Sequence, residues 1–372
     1  MSKRRIKIGL ALITATLIVG LSACESVGFY SQVVQGHSQI MLDRKPIETV
    51  VKQPETDEAL RNKLKVIQQA RQFAVDTLKL PDNGSYTQYV DAGRRYVVWN
   101  VVATEAYSTR PIEHCFPVAG CVSYRGYFKK AAAEAYAEKL KKQGYDVIIS
   151  GASAYSTLGW FSDPVVNTML YRSDLGLAGL VFHELSHQQV YTAGDTAFNE
   201  SFATTVELAG VEAWAAASSK DQVLNMLSPE NLSRYKASKA KSAEVVKLIL
   251  EHRNKLTKAY QSVDPSDEVA LKNIKQSGLA ELRKAYVMLR ANGGGSSGFD
   301  RWFDGDLNNA SLVLFGDYHG WVDAFNVLQQ QTGGDWTAFY QRVQALADLD
   351  KAARRQQLEL LQQQAKAPVA AQ

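Results

Sequence analysis

A pair of histidines four positions apart, with a glutamate between them, is the part of the sequence best suited to metal chemistry. The stretch HELSH places His183, Glu184 and His187 inside an apolar run. On an α-helix, residues four apart differ by about 40° of rotation and about 6 Å of rise, so both imidazoles project to the same side. Such a pair suits zinc, and the intervening glutamate can act as a general base on a water molecule. The motif therefore predicts a hydrolytic zinc site.

A catalytic zinc site needs a third protein ligand, and Glu200 is in a position to provide it. Gly194 is predicted to end the first helix, and Thr196 to cap a second helix that carries Glu200. Because two helices joined by so short a connection pack side by side, Glu200 is expected to face the histidines. Two other interpretations stay open here: a zinc ion that only stabilises the fold, and a helical hairpin that carries polar residues without a metal.

The first 23 residues have the three regions of an export signal. A basic stretch precedes an apolar run at 8–20, which is too short to span a bilayer. The four residues ending in Cys24 resemble a bacterial lipobox, so cleavage before Cys24 and acylation of its thiol and amine are expected. Glu25 at the next position favours the outer membrane, facing the periplasm. An ordinary signal peptide with an incidental cysteine is the alternative interpretation.

Removal of this leader would leave a chain with balanced charge. Four of the 42 basic residues and none of the 38 acidic residues lie in positions 1–23, so the remaining chain carries equal numbers of both. An excess of basic residues is the usual mark of nucleic-acid binding. The composition therefore predicts no nucleic-acid partner.

Two further cysteines close a short loop in HCFPVAGCVSY. Cys115 and Cys121 are separated by turn-forming residues, and a disulfide between them is expected in an oxidising compartment. A metal site formed with His114 is the alternative, but five residues intervene where close zinc-binding cysteine pairs usually have two to four.

The pattern of apolar residues predicts an α+β fold: a helix-rich, zincin-like catalytic core with a small mixed β-sheet and an additional helical hairpin. Helices are predicted at 56–80, at 129–143 and from Asp174 onward, and strands at 94–104 and 145–150. The predicted parts of the chain are the signal peptide (1–23), an irregular lipidated segment (24–55), the catalytic core (56–215), a charged helical hairpin with a Gly-rich loop (216–298), a C-terminal part that completes the cleft (299–353) and a polar tail that frays (354–372).

Several stretches together resemble a bacterial family of predicted aminopeptidase lipoproteins with a gluzincin-like zinc motif. The likeness runs from about Gly28 to about Leu349. The stretches that carry it are LPDNGSYTQYV, YVVWNV, CFPVAGCVSYRGYF, GASAYSTLGWFSDP, FHELSHQQVY, DTAFNESFATTVE and LNNASL.

This resemblance implies that His183, His187 and Glu200 are zinc ligands and that Glu184 is the base. Asn199 and Glu200 match the Asn-Glu pair of gluzincins, which gives Asn199 a supporting role beside the site. The sequence departs from the thermolysin-like pattern in its shorter interhelical connection and in Thr204, which stands where an aspartate would accept the N–H of a ligand histidine. Glu207, farther along the same helical face, is predicted to accept that N–H instead.

Other residues are predicted to contact the substrate. The oxyanion formed during hydrolysis needs a donor beside the metal, and Tyr318 or His319 is favoured over Tyr155 and Tyr191. Tyr155 and Ser156 lie in a stretch that precedes the zinc-binding helix and could pair with an extended peptide. Asn309, like its neighbour Asn308, could bind a peptide terminus or cap a helix, and capping is the better interpretation.

Taken together, the sequence predicts a membrane-anchored zinc peptidase whose partners are a peptide substrate and, through its lipid, the membrane. Aminopeptidase activity is favoured, although the Gly-x-Met-Glu-Asn element of one large gluzincin aminopeptidase family is absent. The alternatives are an endopeptidase acting on misfolded proteins and a non-catalytic envelope lipoprotein with a structural zinc and a partner-binding hairpin. No oligomeric state is predicted.

Overall fold

The protein has the predicted α+β architecture. The computed structural model describes residues 28–116, 120–154, 157, 161–218, 228–315 and 320–366. It is 64% helical and its sheets contain only two or three strands, so the predicted helix-rich class is confirmed. Among the described residues, no helix combines the length and the hydropathy needed to cross a membrane.

The helices and strands are numbered in chain order. The helices are α1 (28–43), α2 (Ile47–Lys52), α3 (Glu58–Asp76), α4 (Lys130–Lys142), α5 (Asp174–Gln189), α6 (Thr196–Ser218), α7 (Pro229–Gln261), α8 (Glu268–Ala291), α9 (Asp300–Asp304), α10 (Asn309–Val313), α11 (Val322–Gln330), α12 (Trp336–Ala347) and α13 (Lys351–Lys366). Short 3-10 turns lie at Asn167–Met169 and Ser297–Phe299. The strands are β1 (Lys45–Pro46), β2 (Gln88–Val90), β3 (Val98–Thr104), β4 (His114–Phe116), β5 (Gly120–Val122), β6 (Arg125–Tyr127), β7 (Asp146–Ala152) and β8 (Val165–Val166).

A three-stranded antiparallel sheet lies beside the long helices. Its order is β6-β3-β7, and Val101 of β3 faces Ile149 of β7 across the ladder. One face of this sheet packs against α4, with Val101 buried against Ala137 and Leu140. A second sheet has the order β1-β2-β8, with β2 and β8 parallel.

The β4–β5 hairpin holds the two cysteines in register. Cys115 and Cys121 are direct partners across the two strands, and their sulfur atoms lie 1.98 Å apart, the distance of a disulfide bond. The hairpin leads directly into β6, so the cysteine loop is attached to the edge of the antiparallel sheet.

Helix α5 runs through the main core and determines where the histidines lie. Leu177, Val181, Phe182 and Leu185 are all at most 2% exposed. A helix that is apolar on most of its circumference is stable only when surrounded, and α3 and α6 pack against α5. The side of α5 that carries the histidines is the one that α6 faces, so the polar residues converge between these two helices.

The connection between α5 and α6 is fixed by two specific interactions. Gly194 adopts φ 77°, a left-handed conformation that glycine tolerates without steric cost. Asp195 accepts a hydrogen bond from the backbone N–H of Phe198, so Asp195 is the cap and the predicted cap Thr196 is instead the first helical residue. Helix α5 begins at Asp174, as predicted, and the Ser173 side chain caps it.

Both ends of the described chain are more ordered than their sequences indicate. The prediction of an irregular segment at 24–55 is wrong for α1 and α2, because Phe29 and Ile40 are buried and anchor α1 on the body. The prediction of a fraying tail at 354–372 is wrong up to residue 366, because Leu358 and Leu361 of α13 are buried. The charged segment after α6 does form two long helices, α7 and α8, as predicted.

Arg354 links helix α13 to the α5–α6 connection, and its removal is expected to destabilise the protein. Its guanidinium lies 3.0 Å from a carboxylate oxygen of Asp195, and the two side chains are only 5% and 14% exposed. Breaking a buried pair by removing one partner leaves an uncompensated charge, which costs about 3–5 kcal/mol. We expect Arg354→Met to lower the free energy of unfolding by about 3 kcal/mol or more, measured by urea titration.

The neighbouring Arg355 offers a matched control for this substitution. Its side chain is 72% exposed and pairs with Glu359 along the surface of α13. Surface ion pairs contribute about 0–1 kcal/mol, so Arg355→Met is expected to leave the unfolding curve nearly unchanged. Equal effects of the two substitutions would show that the Arg354–Asp195 pair has no special structural role.

Candidate metal centre

Three side chains from helices α5 and α6 converge in the structure as a possible metal site. His183, His187 and Glu200 each offer one ligand atom, and these atoms lie within 4.8 Å of one another. His183 Nε2 is 3.3 Å from one carboxylate oxygen of Glu200, and His187 Nε2 is 3.6 Å from the other. The structure therefore brings together the three residues that the sequence predicted as ligands.

The two imidazoles are held at nearly a right angle to each other. Their ring centroids are 4.9 Å apart, with an interplanar angle of 85°. His187 is buried, at 7% exposure, whereas His183 and Glu200 are partly open to solvent. One side of the cluster is thus closed by protein and the other is accessible.

Glu207 lies on the opposite side of the His183 ring from Glu200. Its carboxylate oxygen is 3.3 Å from His183 Nδ1, so one nitrogen of this ring faces Glu200 while the other faces Glu207. This is the arrangement expected of a carboxylate that orients a metal-binding histidine. The structure places Glu207 where the sequence predicted it, about two helical turns beyond Glu200.

Helix α7 contributes two further contacts to Glu207. The Tyr235 hydroxyl donates a hydrogen bond to Glu207 Oε1 over 2.7 Å, and Lys239 forms an ion pair with the same oxygen. Gly179 of α5 makes this approach possible, because a Cβ atom there would lie 2.6 Å from the Tyr235 hydroxyl oxygen. Tyr235 and Lys239 were missed in the sequence, since nothing in a charged helix indicates which of its residues reach a distant site.

The electrostatics favour positive charge at the ligand atoms of His183. Burial opposes this, but the contacts with Glu200 and Glu207 raise the pKa of His183 to about 10. Burial and the neighbouring His183 lower the pKa of His187 to about 4. Burial would raise the pKa of Glu207, yet His183 and Lys239 lower it, so this carboxylate stays ionised. Two carboxylates, the buried Glu207 and the partly exposed Glu200, thus face one imidazole, an arrangement suited to a cation.

Glu184 occupies a different environment from the three converging residues. It follows His183 on α5 and lines a cavity next to the cluster. Within the described part of the chain its carboxylate makes no hydrogen bond or ion pair. Burial raises its pKa, and the negative charges of Glu200 and Asp163 act in the same direction, against the effects of His183 and Arg172. A carboxylate with a raised pKa and no fixed partner is suited to accepting a proton.

Two tyrosines lie on the accessible side of the cluster. The Tyr191 ring centroid is 6.4 Å from that of His187, and burial together with Glu200 raises the pKa of Tyr191. Tyr124 lies between β5 and β6, and its pKa is raised by burial and by the neighbouring Tyr191 and Glu200. Tyr191 was among the sequence candidates for an oxyanion donor. Tyr124 was missed, although it belongs to the CVSY stretch after the cysteine loop.

Five of the predicted site residues lie outside the described part of the chain: Tyr155, Ser156, Tyr318, His319 and the lipidation residue Cys24.

Two asparagines have structural roles rather than contacts with the cluster. The Asn199 side chain donates to the backbone oxygen of Thr192 and accepts from its N–H, each over 2.8 Å, so Asn199 braces the α5–α6 connection. Asn309 is fully buried, and its amide donates to Ala106 and accepts from Tyr260. Its predicted contact with substrate is wrong, because both ends of its amide are already used. The capping role falls to Asn308, which forms a capping box at the start of α10.

Removing the negative charge of Glu207 is expected to weaken metal binding. Outer carboxylates of this kind typically contribute 10- to 100-fold to metal affinity. We expect Glu207→Gln to weaken zinc affinity by about 10- to 100-fold in a competition titration with a chromogenic chelator. Glu212→Gln is the matched control, since Glu212 is on the same helix but is 49% exposed and pairs with Lys236 on the surface. An unchanged affinity in Glu207→Gln would mean that the carboxylate does not support the site.

Comparison with known proteins identifies the family. Residues 28–358 match the family model described as "Putative aminopeptidase". No curated protein matches the chain significantly, and no solved structure does so either. The match covers the converging residues of α5 and α6, their support from α7 and most of the remaining fold. This protein is a member of the "Putative aminopeptidase" family, a peptidase-like group.

Proposed function

We propose that this protein is a zinc-dependent peptidase, acting as an aminopeptidase, in which His183, His187 and Glu200 hold the metal and Glu184 is the general base. One observation carries the proposal: the ligand atoms of these three residues lie within 4.8 Å of one another, with Glu184 beside them on the wall of a cavity. The family match supports a peptidase-like function for the whole chain.

The residues present fit a zinc ion. Bonds of about 2.0–2.1 Å in tetrahedral geometry put ligand atoms about 3.4 Å apart. The two histidine-to-glutamate distances, 3.3 and 3.6 Å, are close to that value. His187 Nε2 is the ring nitrogen that faces Glu200, whereas the Nδ1 atoms of both histidines are buried without a hydrogen bond among the described residues. Two imidazoles and one carboxylate are the donor set of many catalytic zinc sites, which keep a further position open.

The catalytic roles follow from where each side chain lies. Bound zinc would supply a Lewis acid that polarises the scissile carbonyl and makes a water molecule acidic near neutral pH. Glu184 is placed to accept the proton of the attacking water and to return it to the leaving amine. Glu207 fixes the His183 ring through Nδ1, and Tyr235 and Lys239 fix Glu207. Tyr191, whose ring lies beside His187, and Tyr124, whose pKa Glu200 influences, are hydroxyl donors that could stabilise the oxyanion.

We also propose that the protein is anchored in the cell envelope by acyl chains on Cys24, in the outer membrane and facing the periplasm. The support is the sequence alone: an apolar run of export-signal length followed by Leu21-Ser22-Ala23-Cys24. An oxidising periplasm would also agree with the bonding distance between Cys115 and Cys121. The proposed partners are therefore a peptide substrate and the membrane.

The test uses the full chain purified in detergent. We expect mass spectrometry to find about one zinc ion per chain, and a chelator to abolish peptide cleavage until zinc is restored. Peptides with free and acetylated amino termini separate the two peptidase types, because an aminopeptidase cleaves only the free form. Zinc binding without cleavage would favour a structural zinc site, and cleavage of acetylated peptides would favour an endopeptidase. A chain that binds no zinc would contradict the proposal.

A further inference from the structure

A cavity of about 450 Å³ opens beside the metal ligands and reaches the amino-terminal end of α5. Its lining includes His183 and Glu184 from the middle of α5, and Arg172 and Ser173 from the start of that helix. Tyr235 and Lys239 of α7 form its side. A cavity of this size, next to the proposed base, is large enough for one or two residues of a peptide.

Arg172 is one of the charged residues that line this cavity. Within the described residues its side chain forms no hydrogen bond and no ion pair. Burial lowers its pKa, while the more distant charges of Glu184 and Glu207 act in the opposite direction. A partly buried guanidinium has five N–H donors, and leaving such donors unpaired away from bulk water is unfavourable. The side chain is therefore suited to an anionic group that enters the cavity from outside.

Lys63 holds the backbone at Arg172 in place. Lys63 of α3 donates to the Arg172 carbonyl oxygen over 2.8 Å and also pairs with Asp174 over 2.8 Å. Arg172 directly precedes Ser173, the cap of the 16-residue helix α5. The amino-terminal end of a helix carries partial positive charge, which adds to the attraction for an anion.

The two carboxylates that line the cavity do not cancel this attraction. Glu207 is already compensated by His183, Tyr235 and Lys239. Glu184 interacts with Arg172 at longer range but forms no ion pair with it within the described residues. The N–H donors of the guanidinium therefore stay available to an anion that enters the cavity.

We propose that Arg172 binds a carboxylate of the peptide substrate, so that the enzyme prefers peptides with a carboxylate close to the scissile bond. This inference rests on the proposed peptidase function. The carboxylate can come from the terminus of a short peptide or from an acidic side chain, since a guanidinium pairs with both in the same bidentate way.

The experiment compares four dipeptides that separate these two sources. Leu-Ala and Leu-Ala-amide differ only in the terminal carboxylate, and Leu-Glu-amide and Leu-Gln-amide differ only in the side chain. Full-length zinc-loaded protein is assayed for kcat/KM on all four, as wild type, Arg172→Gln, Arg172→Lys and the control Arg234→Gln. Arg234 is on α7, is 70% exposed and pairs with Glu230 on the surface. Calorimetric binding of the same dipeptides to Glu184→Gln, with and without Arg172→Gln, gives a readout without turnover.

We expect wild type to prefer one or both carboxylate peptides over the matched amides by about 10- to 100-fold, the range of a hydrogen-bonded charge pair. Arg172→Gln should abolish this preference, Arg172→Lys should retain part of it and Arg234→Gln should leave it unchanged. The pair that shows the preference identifies the source of the carboxylate.

The outcomes separate this inference from the proposed function. Equal cleavage of acids and amides by wild type would overturn the carboxylate site and leave the peptidase function standing. Absence of cleavage, together with binding that depends on the carboxylate and on Arg172, would overturn the peptidase function and support the site. A preference that survives in Arg172→Gln would assign the carboxylate to another residue and overturn the role of Arg172. Absence of both cleavage and binding would overturn both proposals.

Discussion

Replacing Glu184 with glutamine is expected to lower kcat by about 10²- to 10⁴-fold while the zinc content stays at the wild-type level. General bases contribute rate factors of this size, and glutamine keeps the shape of the side chain but cannot accept the proton. Among the described residues, Glu184 forms no hydrogen bond or ion pair with the three converging side chains, and it lines the neighbouring cavity. Metal content by mass spectrometry and kcat on a cleaved peptide check both parts of the prediction.

This substitution distinguishes a catalytic from a structural metal. A structural zinc site has no use for a base, so a fold that only needed the ion would be indifferent to Glu184→Gln. Glu212→Gln, on the exposed face of α6, controls for the loss of one acidic residue. Wild-type kcat in Glu184→Gln would remove this residue from the mechanism. A parallel loss of zinc would mean that Glu184 supports the metal rather than the proton transfer.

Replacing His187 with alanine is expected to weaken zinc binding by more than about 100-fold and to remove activity with it. Losing a supporting residue alone typically costs about 10- to 100-fold in affinity, and His187 offers a ligand atom directly. The side chain is 7% exposed, so solvent cannot easily replace the missing imidazole. Competition with a chromogenic chelator measures the affinity, and circular dichroism shows whether the variant is folded.

A histidine away from the site provides the comparison. His252 lies on α7, where its Nδ1 is 2.9 Å from the Leu248 carbonyl oxygen of the preceding turn. We expect His252→Ala to retain zinc and activity. If His187→Ala also retained wild-type zinc affinity, His187 would not be a zinc ligand, and the ligand assignment would have to change.

The converging cluster could be predicted from sequence because its geometry is local. Four-residue spacing places His183 and His187 on one face of α5, and a short connection returns Glu200 to that face. The same reasoning places Glu207 about two turns beyond Glu200. Each of these steps uses helix periodicity alone, so no information on distant contacts was required.

The residues that surround the cluster could not be predicted in this way. Tyr235 and Lys239 reach it from α7, and Tyr124 reaches it from the β5–β6 connection, so their positions depend on the packing of distant elements. The helices α1 and α13 were missed for a related reason. Their polar composition hides the few buried residues, such as Ile40 and Leu358, that hold each helix in place.

The distance in sequence between the α5–α6 hairpin and Arg354, which pairs with Asp195 in the α5–α6 connection, has a consequence for folding. The three converging residues lie within one helical hairpin, whereas Asp195 and Arg354 are 159 residues apart in the chain. Local contacts generally form sooner than contacts that close a long loop. The α5–α6 hairpin should therefore be able to bind a cation before α13 docks. The bound ion would then stabilise an intermediate in which Asp195 has not yet paired with Arg354. In this order of events, metal supply during folding would set how much of the chain reaches its final structure.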